Sequence, residues 1–590
     1  MQNFANQCLD LARSLLQQNL AAVAADGAVT PVEGERMRAD EPGHVALALG
    51  EYHRATNETS IGKTDIVDLT ARCIRAQLAI REGSDNGLAY ACLGLLSFGA
   101  SKERNLVWDR LDAATRETIA ARLAEEQVHA NHFQAFDIAK AVCRFSLGMT
   151  DKDMSGVLVD RLVEGIAAAS SGGYFDDAPK SGNPEALGGC FDLYGLVALV
   201  FARQALQLHT NPTARDAKLP KLRTHAEKYV RLLLETSRED GLGWSHGRGI
   251  GAYGQMHPVS VLLQALRDRW VPADKELQAR DLVRRLFTHL FGAFIDLEHG
   301  VLVIRDAERD TIPGHTTRMA NFDASRYLCQ WSRLAKTIGG PLPVLAPAAN
   351  AQPSCRYFPF DRRPGKEQGL CVYSDPASGL HVHLPLVSGG GRGLSDSLAF
   401  PHMPGVMDWP VQVGRPCFIP HFRVGGREVT PSFAGKNVQV AMGNRGAFLF
   451  RYEMPDLIDI SERVLPDLAS LRVEWEFAAG KITGRFTLIP RSAFVLESFR
   501  LVLPIAYPHA RLNAHGARAL GGEFHRCQVV RDDLGGAWGS LETVSADPAH
   551  RTCWGKIHYY QAYERDHPLP VRAGQSLGIE VSYEPDIARA

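Results

Sequence analysis

Little in this sequence points to the outside of a cell, to a membrane or to a nucleic acid. Its 11 cysteines (8, 73, 92, 143, 190, 329, 355, 371, 417, 527 and 553) are odd in number, scattered, and without a CxxC pair. That pattern argues against a disulfide framework or a clustered zinc site and reads as reduced, mostly buried thiols. No apolar run approaches the ~20 residues that a membrane helix needs. The opening residues, MQNFANQC, lack a basic stretch followed by an apolar one, so no secretory leader is expected and a cytoplasmic location is. Lys and Arg number 65 against 66 Asp and Glu, a net charge of −1. Neither a nucleic-acid nor a membrane partner is expected from that balance, although a local basic cleft remains compatible with it. A Walker-type phosphate loop is also missing: Gly389–Gly393 is glycine-rich but carries no Lys and lacks the strand–loop–helix setting. No cofactor or metal is expected. The nearest metal-like pattern is His381 and His383, alternate residues of a strand, which a pair facing a domain interface explains equally well.

What is present organises into two parts. A chain of 590 residues exceeds what one hydrophobic core usually holds, so at least two domains are expected. Residues 1–337 show apolar residues at three-and-four spacing over 66–81, 85–98, 116–147, 157–169, 193–208, 223–236, 258–268 and 277–297. Glycine-rich joints separate these helices, which pair at roughly 50-residue intervals without a strict repeat, and this disfavours a short-period solenoid. Helical hairpins closing into an incomplete (α/α) toroid fit better. Residues 338–354, IGGPLPVLAPAANAQPS, read as a linker. Short alternating runs then follow (370–373, 380–384, 438–441, 447–452, 471–477, 482–488, 494–502 and 579–583), broken by turn signals. They predict an antiparallel β-sandwich over 355–590. The fold class is therefore α+β and multidomain.

Five stretches carry candidate chemistry. The densest is 240–258, DGLGWSHGRGIGAYGQMHP, read as an inter-helix segment. Glycine at that density implies close backbone approach or positive φ. His246, Arg248 and Tyr253 are a trio able to bind a carboxylate and move a proton, with Trp244 and His257 beside them. A tightly packed turn whose His and Tyr bond nearby backbone is the alternative. In 128–136, VHANHFQAF, Asn131 and His132 open an amphipathic helix, where they would face a cavity or serve as a cap and a surface residue. Asp176, Asp177, Asp192 and Tyr194 form an acid–base or sugar-binding set, although adjacent Asp residues in a loop are more often solvated. The stretch 314–327 offers His315, Arg318, Asn321, Asp323 and Arg326, and 400–410 offers His402 and Trp409 as a rim or sugar-stacking platform.

Two resemblances meet at these residues. DGLGWSHGRGIGAYG resembles the catalytic segment of the hyaluronate, chondroitin and xanthan lyases, with a shorter His-to-Tyr spacing and no Trp-rich segment around the catalytic Asn. The resemblance implies His246 as base or neutraliser and Tyr253 as the proton-donating tyrosine. Asn131 next to His132 is similar to the Asn-His pair of alginate and heparinase-type lyases. More broadly, NHFQAF, GGYFDD, FDLYG and DGLGWSHGRGIGAY follow the order of a bacterial family long labelled a domain of unknown function and linked to glycoside hydrolases, β-glucuronidases among them. His132 stands where that family has Trp. Both resemblances imply an (α/α) toroid with a β-sandwich and a uronic-acid saccharide as substrate.

The expected reaction is β-elimination on an acidic oligosaccharide. Asn131 and Arg248 would hold the uronate carboxylate, His246 and Tyr253 would move protons, and His132 would assist. A hydrolase would instead use Asp176 or Asp177 with Asp192, and Asp323 behind them. A non-catalytic sugar binder or an isomerase is the third reading. Short oligosaccharides and exo action follow from the cytoplasmic expectation.

Overall fold

The computed structural model describes residues 1–31, 37–82, 85–125, 129–177, 189–238, 241–244, 246, 252–296, 298, 301–302, 318–346, 352–365, 367–377, 380–387, 400–402, 419–459, 463–478, 480–505, 518–519, 525–540, 542–543 and 559–585. Its helices, in chain order, are α1 (Gln2–Asn19), α2 (Glu41–Thr56), α3 (Ile66–Ala79), α4 (Asp85–Ser97), α5 (Ala113–Ala124), α6 (Phe133–Ser146) and α7 (Ser155–Ala169). After these come α8 (Tyr194–Gln207), α9 (Pro212–Lys218), α10 (Arg223–Glu235), α11 (Ala252–Asp268), α12 (Glu276–Phe294) and α13 (Arg318–Ile338).

Capping chemistry sets several of these starts. The Asp65 carboxylate accepts the Val67 and Asp68 amides ahead of α3, and Asp112 accepts that of Thr115 ahead of α5. Pro42 occupies the first turn of α2, where its missing N–H leaves nothing unsatisfied.

Packing sorts the helices into two layers. Helices α2, α4, α6, α8, α11 and α13 each touch the next, and α13 returns to α2, so they form an inner ring. Helices α1, α3, α5, α7, α10 and α12 pack outside it. This alternation is the toroid expected from the sequence. The inner layer is buried almost all round: α4 beyond its first turn is apolar on every side and α8 is so apart from Arg203, Gln204 and Gln207 near its end, whereas α10 and α12 show one apolar stripe. Close approach between α2 and α4 rests on glycine, because a Cβ on Gly43 would lie 2.1 Å from the Gly87 carbonyl oxygen.

Two boundaries differ from the expected ones. The periodic stretch 116–147 is two helices, α5 and α6, since the chain passes from the outer layer to the inner one between them. Helix α11 begins at Ala252, so Tyr253 and Gly254 lie in its first turn and Pro258 inside it. Proline cannot donate to the carbonyl four residues back, which is that of Gly254. That oxygen instead accepts the Trp244 amide at 3.0 Å. A Cβ on Gly243 would sit 2.1 Å from the same oxygen, so the Gly-Leu-Gly-Trp stretch is glycine-rich where it lies against α11.

The C-terminal part is antiparallel throughout its described pairings. Strands β1 (Ser354–Asp361), β2 (Gln368–Asp375), β3 (Leu380–Leu386) and β4 (Phe400–His402) form one sheet in that order. A second contains β5 (Pro420–Val424), β6 (Arg427–Val429), β11 (Phe494–Ile505) and β13 (Tyr559–Arg565), in the order β6-β5-β11-β13. The third runs β7-β8-β9-β10-β14-β12, built from β7 (Lys436–Met442), β8 (Phe448–Met454), β9 (Ala469–Ala478), β10 (Lys481–Pro490), β12 (His525–Asp532) and β14 (Leu577–Pro585). The period-two alternation of each strand supplies the cores. On the first sheet, Cys371, Tyr373, Leu380, Val382 and Leu384 join the apolar core shared by all three sheets. The intervening Phe358, Phe360, Leu370 and Val372 join the core of the toroid. This sheet thus seats the β region on the helices. The Phe360 carbonyl accepts the Gly172 amide at 3.0 Å and the Ser170 hydroxyl at 2.5 Å, and Arg356 pairs with Glu235. Among the described residues no helix is long and apolar enough to cross a membrane.

Candidate active site

One end of the inner ring opens into a cavity of about 190 Å³ to which every inner helix contributes its N-terminal turns. Asp40 and His44 come from the start of α2, Asn86 from α4, and His132 and Phe133 from α6. Tyr194 comes from α8, Tyr253 and His257 from α11, and Met319, Asp323 and Arg326 from α13. Each helix start carries about half a positive charge from its aligned peptide dipoles, so the wall is biased toward anions before any side chain is counted.

Asp323 is the hub. Only 3% of its surface is exposed. Its Oδ1 accepts from His44 Nδ1 at 2.9 Å and Arg326 Nε at 2.5 Å, and its Oδ2 accepts from the Tyr253 hydroxyl at 2.9 Å. Burial alone would raise its pKa, but the charges of Arg326 and His44 outweigh that and hold the carboxyl well below the usual range. The reciprocal effect falls on His44. Burial pulls its pKa down, yet the charges of Asp323 and Asp40 and the hydrogen bond to Asp323 push it up to about 9. His44 is therefore an imidazolium at neutral pH. Its ring lies 4.0 Å from that of Tyr90, and its Nε2, 3.8 Å from Asp40 Oδ2, has no hydrogen-bond partner among the described residues.

Arg326 lies 4.8 Å above the Phe201 ring and gives Nη2 to the Tyr327 hydroxyl at 2.9 Å. Its Nη1 and the Oδ1 of Asn86 likewise lack partners among the described residues. Tyr253 is opposite in character. Burial, then the Asp323 charge, pushes its hydroxyl well above the ordinary value, so it resists losing its proton.

Across the cavity stands a second His–Asp pair. His132 Nδ1 is 2.8 Å from Asp177 Oδ1, which also accepts the His132 amide at 2.7 Å. The imidazole is wedged against Tyr194 and Phe133, with ring centroids 4.4 and 4.5 Å away. Nδ1 being committed to Asp177, Nε2 is the nitrogen left for chemistry.

The other candidates from the sequence divide clearly. His257 lines the cavity with Nδ1 3.0 Å from the Tyr327 hydroxyl. Asp176, Asp177 and Asp192 are buried rather than solvated, because the loops bearing them bond one another beneath the β region. Asp176 accepts the Cys190 amide at 2.9 Å, and Asp192 accepts the Tyr194 amide at 3.0 Å and the Cys190 thiol at 3.3 Å. Asn131 is not a lining residue, and its Oδ1 accepts the Phe133 amide at 3.2 Å.

His246 is also absent from the lining. It is buried with its ring 4.6 Å from Trp244 and 6.3 Å from Phe360, and burial lowers its pKa to about 4. Trp244 is equally buried and gives its indole N–H to the His246 carbonyl at 2.6 Å. Tyr253 and His246, seven residues apart, are thus on different sides of this loop's packing: one in the cavity, the other against the β region. Arg318 opens α13 beside Met319. His402 closes β4 as register partner of His381. Arg248, His315 and Trp409 lie outside the described residues.

Sequence reasoning missed His44, Arg38, Asp40 and Asn86. The signal for His44 was present: a single imidazole four residues after Asp40 and two after Pro42, inside the otherwise apolar start of α2.

No protein-family model matches the chain, and no curated protein sequence matches it. Solved structures do. The chain is similar to the chondroitin AC lyase of Streptomyces coelicolor A3, solved with chondroitin sulphate, at 12% identity and a TM-score of 0.49, over 100% of this chain and 80% of that one. It is similar to the heparan sulfate lyase of Pedobacter heparinus at 10% identity and a TM-score of 0.30, over 99% and 88%. It is also similar to a glycosyl hydrolase of family 88 from Bacteroides vulgatus, at 11% identity and a TM-score of 0.39, over 56% and 99%. Lyases of the kind named by the sequence resemblance therefore stand among these structures, beside a hydrolase. The chemistry rests on the cavity's own side chains.

Proposed function

We propose that this protein is a carbohydrate-active lyase that cleaves uronate-containing oligosaccharides by β-elimination in the cavity at the N-terminal end of the toroid. The observation that carries the reading is the charge state of the lining. His44, its Nε2 ion-paired with Asp40 at 3.8 Å, and Arg326, its Nη1 without a partner among the described residues, line a space ringed by helix N-termini, while both lining carboxyls, Asp40 and Asp323, are held below their ordinary pKa. Such a site attracts a carboxylate and offers no carboxylic acid of its own.

In β-elimination the proton on the carbon next to the uronate carboxylate is removed and the bond to the neighbouring glycosidic oxygen breaks. Negative charge builds on the carboxylate as this happens, and Arg326, Arg38 and the helix starts stabilise it. His132 Nε2 takes the proton, and Asp177 steadies the imidazolium that results. His44 Nε2 returns a proton to the departing oxygen, its cationic form being favoured by Asp323. Tyr253, whose hydroxyl already serves Asp323, orients this carboxylate and is a poor base. A volume of about 190 Å³, below the ~300 Å³ of a typical drug-sized pocket, suits one terminal sugar and hence exo action.

The same reading keeps a toroid over 1–337, a linker over 338–354 and a β-sandwich over 355–590. The end of α13 at Ile338 and the start of β1 at Ser354 support it. The nine described cysteines, none of them in a disulfide, favour a cytoplasmic home.

Hydrolysis is the second reading, favoured by the burial of Asp176, Asp177 and Asp192 close to His132. A panel of uronate oligosaccharides separates the two. Elimination yields an unsaturated uronate that absorbs in the ultraviolet, in fragments whose masses sum to the substrate. Fragments carrying one added water, without absorbance, would refute the lyase and move the chemistry to the aspartates.

A further inference from the structure

The opposite pole of the toroid, where the inner helices end, carries a feature that the reaction does not use. A cavity of about 70 Å³ is lined there by Arg54 of α2, Arg203 and Gln204 of α8, Arg267 of α11, and Gln330 and Arg333 of α13. Four guanidiniums share two carboxylates. Glu51 accepts from Arg54 at 2.9 Å, Arg333 at 2.8 Å and the Gln204 amide at 3.0 Å. Asp268 accepts from Arg203 at 2.5 and 2.9 Å and from Arg267 at 2.8 Å.

Among the side chains, four guanidiniums outnumber two carboxylates, against the negative ends of the four helices, and part of that excess is buried: Arg203 is 5% exposed. Desolvation, helped by the neighbouring guanidiniums, outweighs the opposing pull of Glu51 and Asp268 and draws Arg54 and Arg203 below their ordinary pKa values. Gln330 is 3% exposed, and its Nε2 and the Nε of Arg333 have no partner among the described residues. Unpaired buried donors are costly, and here they outnumber the one unpaired acceptor of the lining, Gln204 Oε1, so a guest rich in acceptor oxygens suits the cavity.

We propose that this pole binds a small oxyanion, of the phosphate or sulfate type, held by Arg54, Arg203, Arg267, Arg333 and the Gln330 amide. Guanidinium forks match the oxygen spacing of such ions and pair with them through parallel hydrogen bonds. The volume suits the ion: at about 10–15 Å³ per water on this measure, there is space for a five-atom group and none for a sugar. The site stands independently of the reaction at the other pole. The two are joined by shared elements, because α2, α8, α11 and α13 line both cavities. Ten residues of α13 separate Asp323 from Arg333, about 15 Å along the helix axis.

The test is thermal unfolding of the full chain in phosphate, sulfate, acetate or chloride at matched ionic strength, with isothermal titration of inorganic phosphate. Phosphate and sulfate are expected to raise the unfolding temperature saturably, with acetate and chloride ineffective. Arg267→Gln, at a partly exposed side chain, and Gln330→Met, which removes the amide at similar volume, are each expected to weaken phosphate at least tenfold. Either variant suffices if the other fails to fold. Stabilisation that follows ionic strength alone would overturn the proposal, leaving the arginines to balance two carboxylates and the helix C-termini. So would an unchanged phosphate affinity in the variants, which would locate the ion elsewhere, the cationic cavity included.

Discussion

Replacing His44 by Gln should remove one identifiable component of the pH dependence of stability. In the folded chain His44 holds its proton up to about pH 9, against an ordinary value of 6.5 when unfolded. Below the unfolded value both states bind the proton, and the full benefit of the Asp323 and Asp40 partners is present. Between 6.5 and about 9 only the folded state keeps it, so each rise in pH erodes stability, and above that window the contribution is gone. The gap between the two values corresponds to about 3 kcal/mol. The groups facing this imidazole are Asp323 from α13, Asp40 from its own helix start and Tyr90 from α4, with the charged Arg326 beyond them, bonded to Asp323 and 5.9 Å from the Tyr90 ring. Urea unfolding midpoints of the parent and His44→Gln, followed by circular dichroism from about pH 6 to about pH 9.5, measure the effect through the difference between the two proteins. The variant should be the less stable at low pH, with the gap closing by about 3 kcal/mol as pH rises. A gap that stays constant or widens would refute the buried-imidazolium account.

Other perturbations probe the rest of the cavity. His132→Gln and Asp177→Asn should each lower turnover by about 10²- to 10⁴-fold with small changes in KM, read by unsaturated-uronate absorbance under saturating substrate. Equal losses of affinity and turnover would reduce the pair to substrate binding. Tyr253→Phe should cost about 1 kcal/mol of stability, as Asp323 loses one of its donors, and leave most of the turnover in place. Abolished turnover in a folded Tyr253→Phe protein would return the proton-donor role to the tyrosine. Gly43→Ala should destabilise by about 1–3 kcal/mol, because its methyl would meet the Gly87 carbonyl. Gly292→Ala, in open space on α12, should be neutral or stabilising by up to about 1 kcal/mol in the same denaturation experiment.

The helices were readable because burial on one face leaves a period in the chain, and the strands because burial on alternate residues leaves another. Position 252 shows the limit of that reading. The pattern alone starts the helix at Pro258, since proline favours a first turn, but packing against the 241–244 loop lets the helix continue through it. The aspartates at 176 and 177 show another limit. Two adjacent carboxylates look solvated in sequence, and only the covering β region and the amides of Cys190 and His132 make their burial tolerable.

Sequence by itself determined the order of the two parts, the amphipathic or fully apolar character of each helix, and which stretches, around residues 131–132, 176–177, 192–194 and 244–257, hold candidate polar side chains. These are local properties, written in the spacing of apolar residues and in the residue types that turns and caps demand. Tertiary structure decided which of those side chains share a cavity. His44 and Asp323 are 279 residues apart in the chain and 2.9 Å apart in space, whereas the neighbouring His246 turns toward Phe360 and out of the lining. Closing a ring brings the starts of six helices to one point regardless of their distance along the chain. A charge network shared by three of them leaves no trace in the spacing of any one.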